Sequence, residues 1–154
     1  MLLDILLRSI WISGTATLLA VLLGLPLALL IGLRDFWGRR VLRAIFNALL
    51  GIPTVALGLI LFILFSRRGP LGPLGLLYTP WAMIIGQTIL IAPIVVSFIA
   101  SALESVDPEI KDLARTLGAT ERQTSLTILR EAKRGVMLSI VAAFNRAISE
   151  LGVA

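Results

Sequence analysis

The segment WAMIIGQTILIAPIVVSFIASA, residues 81–102, contains no charged side chain over 22 residues. An α-helix needs about 20 predominantly apolar residues to cross the hydrocarbon core of a bilayer. Three further apolar stretches of similar length lie at residues 10–33, 44–65 and 135–154. The sequence therefore predicts an all-α, polytopic transmembrane helix bundle with four spans.

The composition agrees with lipid as the main solvent of this chain. Hydrophobic residues make up 58% of the 154 residues and charged residues 15%, whereas soluble domains average roughly 45–50% and 25%. Cysteine and histidine are both absent from the sequence, which excludes disulfides, thiolate metal sites and histidine acid–base catalysis within it. The net charge of +5 comes from residues between the apolar runs. We therefore expect contact with membrane lipid and no binding to nucleic acid.

The linkers between the spans predict the orientation of the chain in the membrane. Basic residues concentrate between the first and second spans and between the third and fourth, and these two linkers lie on the same side. Linkers rich in Lys and Arg remain in the cytoplasm, so we expect the N-terminus outside and residues 103–133 inside. The basic residues of the two linkers are Arg34, Arg39, Arg40, Arg43, Lys111, Arg115, Arg122, Arg130, Lys133 and Arg134.

Residues 103–133 predict a helical hairpin. Asp107 followed by Pro108 is typical of a helix start, because the carboxylate caps free N–H groups and proline has a helical φ. Gly118 stands where a left-handed C-cap ends the first helix. Thr120 and Gln123 have the spacing of a capping box that starts a second helix. The first helix has an apolar face at helical spacing, formed by Ile110, Leu113, Ala114 and Leu117.

The charge of this hairpin is balanced between acidic and basic residues. A balanced surface suits a protein partner better than a polybasic contact with lipid headgroups. An amphipathic loop exposed to solvent, with no partner, is equally compatible with these residues.

The run DLARTLGA, residues 112–119, resembles the EAA loop of ABC importer permeases. The family pattern is Glu-Ala-Ala, three residues, Gly, and an Ile, which matches Asp112, Gly118 and Ile128 here. Leu113 replaces a small residue of the pattern, and Arg130 with Glu131 replaces its Leu-Pro.

This resemblance implies a role for residues 103–133 as a cytoplasmic coupling loop. In the family, a short helix after the Gly docks on an ATPase and couples its cycle to the membrane helices. The corresponding segment here runs from Ala119 to about Thr127. The residues assigned to the coupling loop are Asp112, Ala114, Gly118, Ala119, Thr120, Gln123 and Ile128.

The run FNRAISELG, residues 144–152, looks like the F-x-R-x-[LI]-[GS]-E-x-G run of molybdate, sulfate and tungstate permeases. Residues 49–53 and 66–79 look most like tungstate permeases. The resemblance implies a type I importer of a small oxyanion in the plasma (inner) membrane of a prokaryote. It also implies three partners: a second permease copy, a cytoplasmic ABC ATPase that holds ATP-Mg, and an extracytoplasmic solute-binding protein.

The chain itself has no Walker pattern G-x-x-x-x-G-K-[ST]. We therefore expect no cofactor in this chain and no ATP hydrolysis by it. Permeases of this family have at least one further span after the fourth, so we expect residues 1–154 to be a single transmembrane domain that is incomplete at its C-terminus.

Two charged residues lie within the fourth predicted span. Arg146 and Glu150 are four residues apart and share a helix face, and Asn145 and Ser149 repeat this spacing. A charge near the bilayer centre costs at least about 2.5–3.5 kcal/mol, so it should be paired and face the bundle interior. The four residues fit either the lining of a translocation path or a structural ion pair. The second role is favoured because pairing neutralises the cation that an anion would need.

Two other function classes fit parts of the sequence. A membrane scaffold or small pore without an ATPase would use the same spans but would leave the hairpin at Gly118 without a partner. An intramembrane enzyme lacks its residues, because histidine is absent and Glu150 is the only carboxylate in a predicted span. Tungstate, molybdate, sulfate and phosphate are tetrahedral anions of similar shape, so the residues themselves do not distinguish these substrates. Only the resemblance to tungstate permeases favours tungstate.

Overall fold

The computed structural model describes residues 1–151, which form α-helices and one short 3₁₀ turn and contain no β-strand. The predicted all-α class is therefore confirmed. In chain order the helices are α1 (Leu2–Leu33), α2 (Arg39–Leu49), α3 (Thr54–Phe65), α4 (Pro80–Glu104), α5 (Pro108–Thr116), α6 (Glu121–Glu131) and α7 (Lys133–Leu151), with the 3₁₀ turn Gly72–Leu74 before α4.

Helices α1 and α4 form the centre of the bundle and run parallel to each other. The rings of Trp11 and Trp81 meet near one end, with centroids 6.2 Å apart, and Gly32 packs against Leu103 near the other. A Cβ atom at Gly32 would lie 2.8 Å from the Leu103 side chain, so only glycine permits this approach. Small residues allow helices to pack closely in lipid. The buried small residues of α1 lie every four residues: Ala16, Ala20, Gly24 and Ala28.

Helix α7 packs antiparallel to α4. The side-chain amide of Gln87 donates to the Ala147 carbonyl at 3.2 Å, while Gly135 contacts Ala102 near the opposite end of α4. A Cβ at Gly135 would lie 2.7 Å from the Cβ of Ala102. The contact face of α7 again consists of small residues every four positions, namely Gly135, Ser139, Ala143 and Ala147.

The prediction that the second span, residues 44–65, is a single helix is wrong. It is divided between α2 and α3, whose axes differ by 96°. The chain leaves the helical conformation before Pro53, which has no N–H to donate and disfavours a helical conformation at the preceding residue. Pro53 has φ −66° and ψ 128°, an extended conformation, and α3 begins at the next residue.

The bent α2–α3 pair nevertheless runs along α4 from one end to the other. Arg39 at the start of α2 pairs with Glu104 at the end of α4. In α3, Leu61 lies against Gly86, near the start of α4. The pair is thus antiparallel to α4, which is the chain direction that a second span requires.

Within the part of the chain that the structure describes, two helices, α1 and α4, are long and apolar enough to cross a membrane on their own, and the bent pair would be a third span. These are the first and third predicted spans, which are confirmed in this sense. The fourth predicted span corresponds to α7, whose 19 described residues do not meet the same criteria. Residues 152–154 of that prediction lie outside the described part, so the count of four spans stays a prediction.

The helix directions determine which linkers share an end of the bundle. The linker after α1 and the linker after α4 lie at one end, where Arg39 meets Glu104. Residues 66–79 precede α4 and lie at the end where Trp11 meets Trp81. This agrees with the predicted alternation of sides, while the assignment of either end to the cytoplasm stays a prediction.

Candidate functional site

Helix α5 begins as the sequence predicts. The Asp107 carboxylate accepts a hydrogen bond from the Glu109 N–H at 3.0 Å, and Pro108 is the first helical residue. This cap satisfies one of the N–H groups that the first turn of a helix leaves free. The start of the hairpin is therefore specified by two adjacent residues.

The turn after α5 is closed by backbone hydrogen bonds around Gly118. Gly118 has φ +82°, and its N–H donates to the Arg115 carbonyl at 2.9 Å. The next residue, Ala119, donates to the Ala114 carbonyl at 3.0 Å. These two bonds define a Schellman motif, which needs a left-handed residue at the Gly118 position. The predicted glycine C-cap is confirmed.

Helix α6 begins with the predicted capping box. The Gln123 N–H donates to the Thr120 hydroxyl at 3.3 Å, and the Thr120 N–H donates to Oε1 of Gln123 at 2.8 Å. An ion pair also spans the turn, because Arg115 lies 2.9 Å from Glu121. That pair is exposed and contributes at most about 1 kcal/mol. The caps, rather than the ion pair, are the main interactions that stabilise the turn between α5 and α6.

The two helices of the hairpin differ in burial. Helix α6 packs against the bundle through Thr124, which is 2% exposed, and Ile128, which belongs to the main hydrophobic cluster. Helix α5 has no buried residue. Its predicted apolar face is formed, but Leu113 and Leu117 are 60% and 78% exposed. The apolar face of α5 is therefore open to a partner, whereas the inner face of α6 is not.

The remaining residues of the predicted coupling loop lie around this exposed face. Asp112 is exposed, and its carbonyl accepts a hydrogen bond from the Thr116 hydroxyl at 2.8 Å. Ala114 and Ala119 are half-buried. Asp112 and Gly118 are thus exposed at the hairpin, Ala114 and Ala119 are partly covered, and Ile128 lies on the bundle side.

The two charged residues of α7 form the predicted pair. The Arg146 guanidinium lies 2.8 Å from the Glu150 carboxylate and also donates to the Thr54 hydroxyl at 3.5 Å. Ser149 donates to the Arg146 carbonyl within its own helix at 2.8 Å, and Asn145 is exposed. Arg146 is 45% exposed on this chain, so the guanidinium lies at the edge of the bundle rather than inside it.

A cavity of about 380 Å³ adjoins this pair and includes Glu150 among its lining residues. Its walls are mainly apolar side chains of α3 and α4. Gln87 also lines it, and the Oε1 atom of this buried side chain has no hydrogen-bond partner among residues 1–151. Gln87 was not among the predicted site residues, although it is the only side-chain amide in the uncharged segment 81–102. Within residues 1–151, no group of three or more acidic, cysteine or histidine residues could hold a metal ion.

Comparisons with known proteins agree with this architecture. The family model described as the binding-protein-dependent transport system inner membrane component matches residues 24–154. The chain is 42% identical over 94% of its length to a Haloferax volcanii protein described as a probable anion ABC transporter permease protein. It is 39% identical over 94% of its length to a tungstate uptake system permease protein of Peptoclostridium acidaminophilum. It is 30% identical over 95% of its length to a molybdenum transport system permease protein of Escherichia coli K12.

The chain spans only part of these relatives. It covers 62% of the Haloferax volcanii protein, 63% of the Peptoclostridium acidaminophilum protein and 67% of the Escherichia coli protein.

Proposed function

The chain belongs to the family of inner membrane components of binding-protein-dependent transport systems, and we propose that it is the permease subunit of an ATP-driven tungstate importer. The observation that carries the substrate is the 39% identity to a tungstate uptake permease over 94% of the chain. The 42% identity to a permease described for anions supports the wider substrate class. Molybdate and sulfate are the alternative substrates, since they share the tetrahedral shape.

We propose that the partner ATPase docks on the exposed face of α5 and on the turn at Gly118. Leu113 and Leu117 are exposed on this chain, and covering an exposed leucine contributes about 1.5–3 kcal/mol. The resemblance alone assigned docking to the segment from Ala119 to about Thr127. The burial of Thr124 and Ile128 favours a different division, in which α5 contacts the ATPase and α6 connects it to the bundle.

The rigidity of the hairpin supports this division. The Schellman motif at Gly118 and the capping box at Thr120 and Gln123 leave few free backbone groups between α5 and α6. A displacement of α5 would therefore move α6 as well. Ile128 packs in the same cluster as residues of α1, α4 and α7, so this movement would reach the membrane helices. The ATP-Mg belongs to the partner ATPase in this proposal.

A second copy of the permease is proposed to cover the polar edge of α7. Asn145, Arg146 and Ser149 are exposed on the single chain, and polar groups of a membrane-spanning helix are costly against lipid. The Arg146–Glu150 pair would orient α7, and the uncharged side chains beside it would line the path between the two copies. The apolar outer faces of α1 and α4 would contact lipid.

The orientation proposed from the basic linkers completes the assembly. The hairpin then faces the cytoplasm and its ATPase, while the N-terminus and residues 66–79 face an extracytoplasmic solute-binding protein. Selection of tungstate over other oxyanions would take place mainly in that binding protein. Transport would follow an alternating-access cycle, in which ATP binding moves the hairpins and changes the side to which the path opens.

The test is uptake by the full natural permease reconstituted in proteoliposomes with its ATPase and solute-binding protein. We expect tungstate uptake that requires internal ATP, and we expect molybdate and sulfate to compete weakly or not at all. If molybdate or sulfate is taken up and tungstate is not, the proposed substrate is wrong. If no oxyanion is taken up and the ATPase does not bind, the scaffold or pore alternative is correct.

A further inference from the structure

An ion cluster joins the start of α2 to the end of α4. The Arg39 guanidinium donates to Glu104 at 2.7 Å and also pairs with Asp35. The Arg43 guanidinium pairs with the second carboxylate oxygen of Glu104 and donates to the Ser101 hydroxyl at 3.2 Å. Both oxygens of Glu104 are thus bound, one by each arginine.

The charges and the burial of this cluster suit a strong connection. Two arginines face two carboxylates, so the cluster is neutral without an added counter-ion. Glu104 is 21% exposed, and Arg39 and Arg43 are 28% and 35% exposed. Partly buried ion pairs are screened less by salt than those on a fully exposed surface. Hydrogen bonds in which both partners are charged are also stronger than neutral ones.

The rest of the α2–α3 pair is only lightly packed against the bundle. Helix α2 has no buried residue, and α3 has a single one, Phe65. Leu42 and Phe46 pack partly buried against a small cluster that is separate from the main core. The ion cluster is therefore the main polar attachment of the bent pair at this end of the molecule.

Glu104 is also adjacent to the hairpin. It is the last residue of α4 and precedes the Asp107 cap of α5 by three positions. A cleft of about 500 Å³ is lined both by cluster residues and by hairpin residues, among them Arg39, Glu104, Asp107 and Ile128. A displacement of the hairpin would therefore also displace Glu104, whose carboxylate pairs with two arginines of α2.

We propose that Glu104 is a positioning residue that makes the α2–α3 pair move with the coupling hairpin. The inference rests on the proposed transport function. Arg39 and Arg43 of α2 both bind the Glu104 carboxylate, so a displacement at the end of α4 is transmitted to the bent pair. Without the carboxylate, the hairpin and the ATPase still cycle, but the bent pair no longer follows.

The test compares transport with ATP hydrolysis in proteoliposomes that contain the full natural permease, its ATPase and its binding protein. The readout is the ratio of tungstate transported to ATP hydrolysed. For Glu104→Gln we expect this ratio to fall by roughly tenfold, because the charge that both arginines bind is removed. Hydrolysis stimulated by the binding protein should stay within about twofold of the natural protein. Glu104→Asp, which keeps the charge, should recover most of the ratio.

The matched control is Arg40→Gln, which removes an exposed arginine of the same helix next to Arg39. It should leave the ratio unchanged, whereas Arg39→Gln should give an intermediate loss because Arg43 remains. If Glu104→Gln fails to assemble, Arg39→Gln and Glu104→Asp still report the ratio. An unchanged ratio in all variants overturns the proposal. Absence of tungstate transport by the natural protein would instead overturn the proposed function.

Discussion

The α5–α6 hairpin and the α2–α3 pair are both two short helices joined by a break, but their breaks are stabilised in different ways. In the hairpin, Gly118 and the Thr120–Gln123 box close the break with backbone and side-chain hydrogen bonds. In the bent pair, the link consists of successive turns ending at Pro53, and no side chain caps α3. The hairpin therefore holds its own shape, whereas the bent pair depends on what it packs against.

In the proposed transport cycle, this difference would give the two units different roles. A unit with a fixed shape can transmit force from a partner protein. A unit fixed mainly by its contacts can change position when those contacts move, as a gate must. In the proposed cycle, the hairpin would therefore dock on the ATPase, and the bent pair would undergo the conformational change that follows.

Breaking the hairpin at its turn should have the largest effect. In Gly118→Val, a β-branched residue must adopt φ +82°, which costs about 1–2 kcal/mol or more. We expect the amount of ATPase that co-purifies with the natural permease in mild detergent to fall at least about tenfold. Gly118→Asn is the control, since asparagine tolerates the left-handed conformation and should retain the ATPase. Equal retention by both variants would contradict docking at this turn.

A smaller effect should distinguish the two helices of the hairpin. Leu117→Ala removes an exposed leucine of α5, and Leu126→Ala removes one of α6, which is 49% exposed. If the ATPase covers α5, the first change should weaken its binding by roughly fivefold, about 1 kcal/mol, and the second should change it little. Titration of the ATPase onto permease in nanodiscs measures both. A loss confined to Leu126→Ala would return the docking surface to the segment that begins at Ala119.

The smallest expected effect compares a threonine at the start of each unit's second helix. Thr120→Ala removes a cap and should destabilise the start of α6 by about 1 kcal/mol. Thr54→Ala removes no cap, because no side chain caps α3, and it loses only the long 3.5 Å contact with Arg146, so the stability at the start of α3 should change by no more than about 0.5 kcal/mol. Hydrogen exchange of the first-turn amides should rise roughly fivefold in α6 alone. A similar rise in the exchange of the first-turn amides of α3 in Thr54→Ala would contradict the absence of a side-chain cap on that helix.

The sequence predicted the hairpin in detail because its signals are local. Asp107 with Pro108, Gly118, and Thr120 with Gln123 each specify a backbone conformation through neighbours within three residues. The same is true of the Arg146–Glu150 pair, which follows from its four-residue spacing. Such features need no knowledge of the rest of the fold.

The bend at residues 50–53 was missed because the predicted span, residues 44–65, contains no charged side chain on either side of it. Both α2 and α3 contribute apolar residues to the predicted span, so an uninterrupted apolar run concealed the break, and Pro53 was its only clear sign. Which face of the hairpin is covered was not predictable either. The burial of Ile128 and the exposure of Leu117 depend on helices far away in sequence. Gln87 was not predictable for the same reason. Its side-chain amide donates to the Ala147 carbonyl of α7, which is 60 residues away, and its Oε1 atom has no partner among the described residues.

The close contact of α1 with α4 restricts which mutations of this chain are tolerated during evolution. Ala16, Gly24 and Gly32 contact α4, and the buried Ala20 and Ala28 lie between them at the same four-residue spacing. One residue inserted among them would rotate the rest of α1 by about 100° and present larger side chains to α4. Substitutions on the lipid side of α1 would be tolerated, whereas insertions and deletions would be eliminated. We therefore expect the spacing of these small residues to be retained among natural variants even where the other residues of α1 differ.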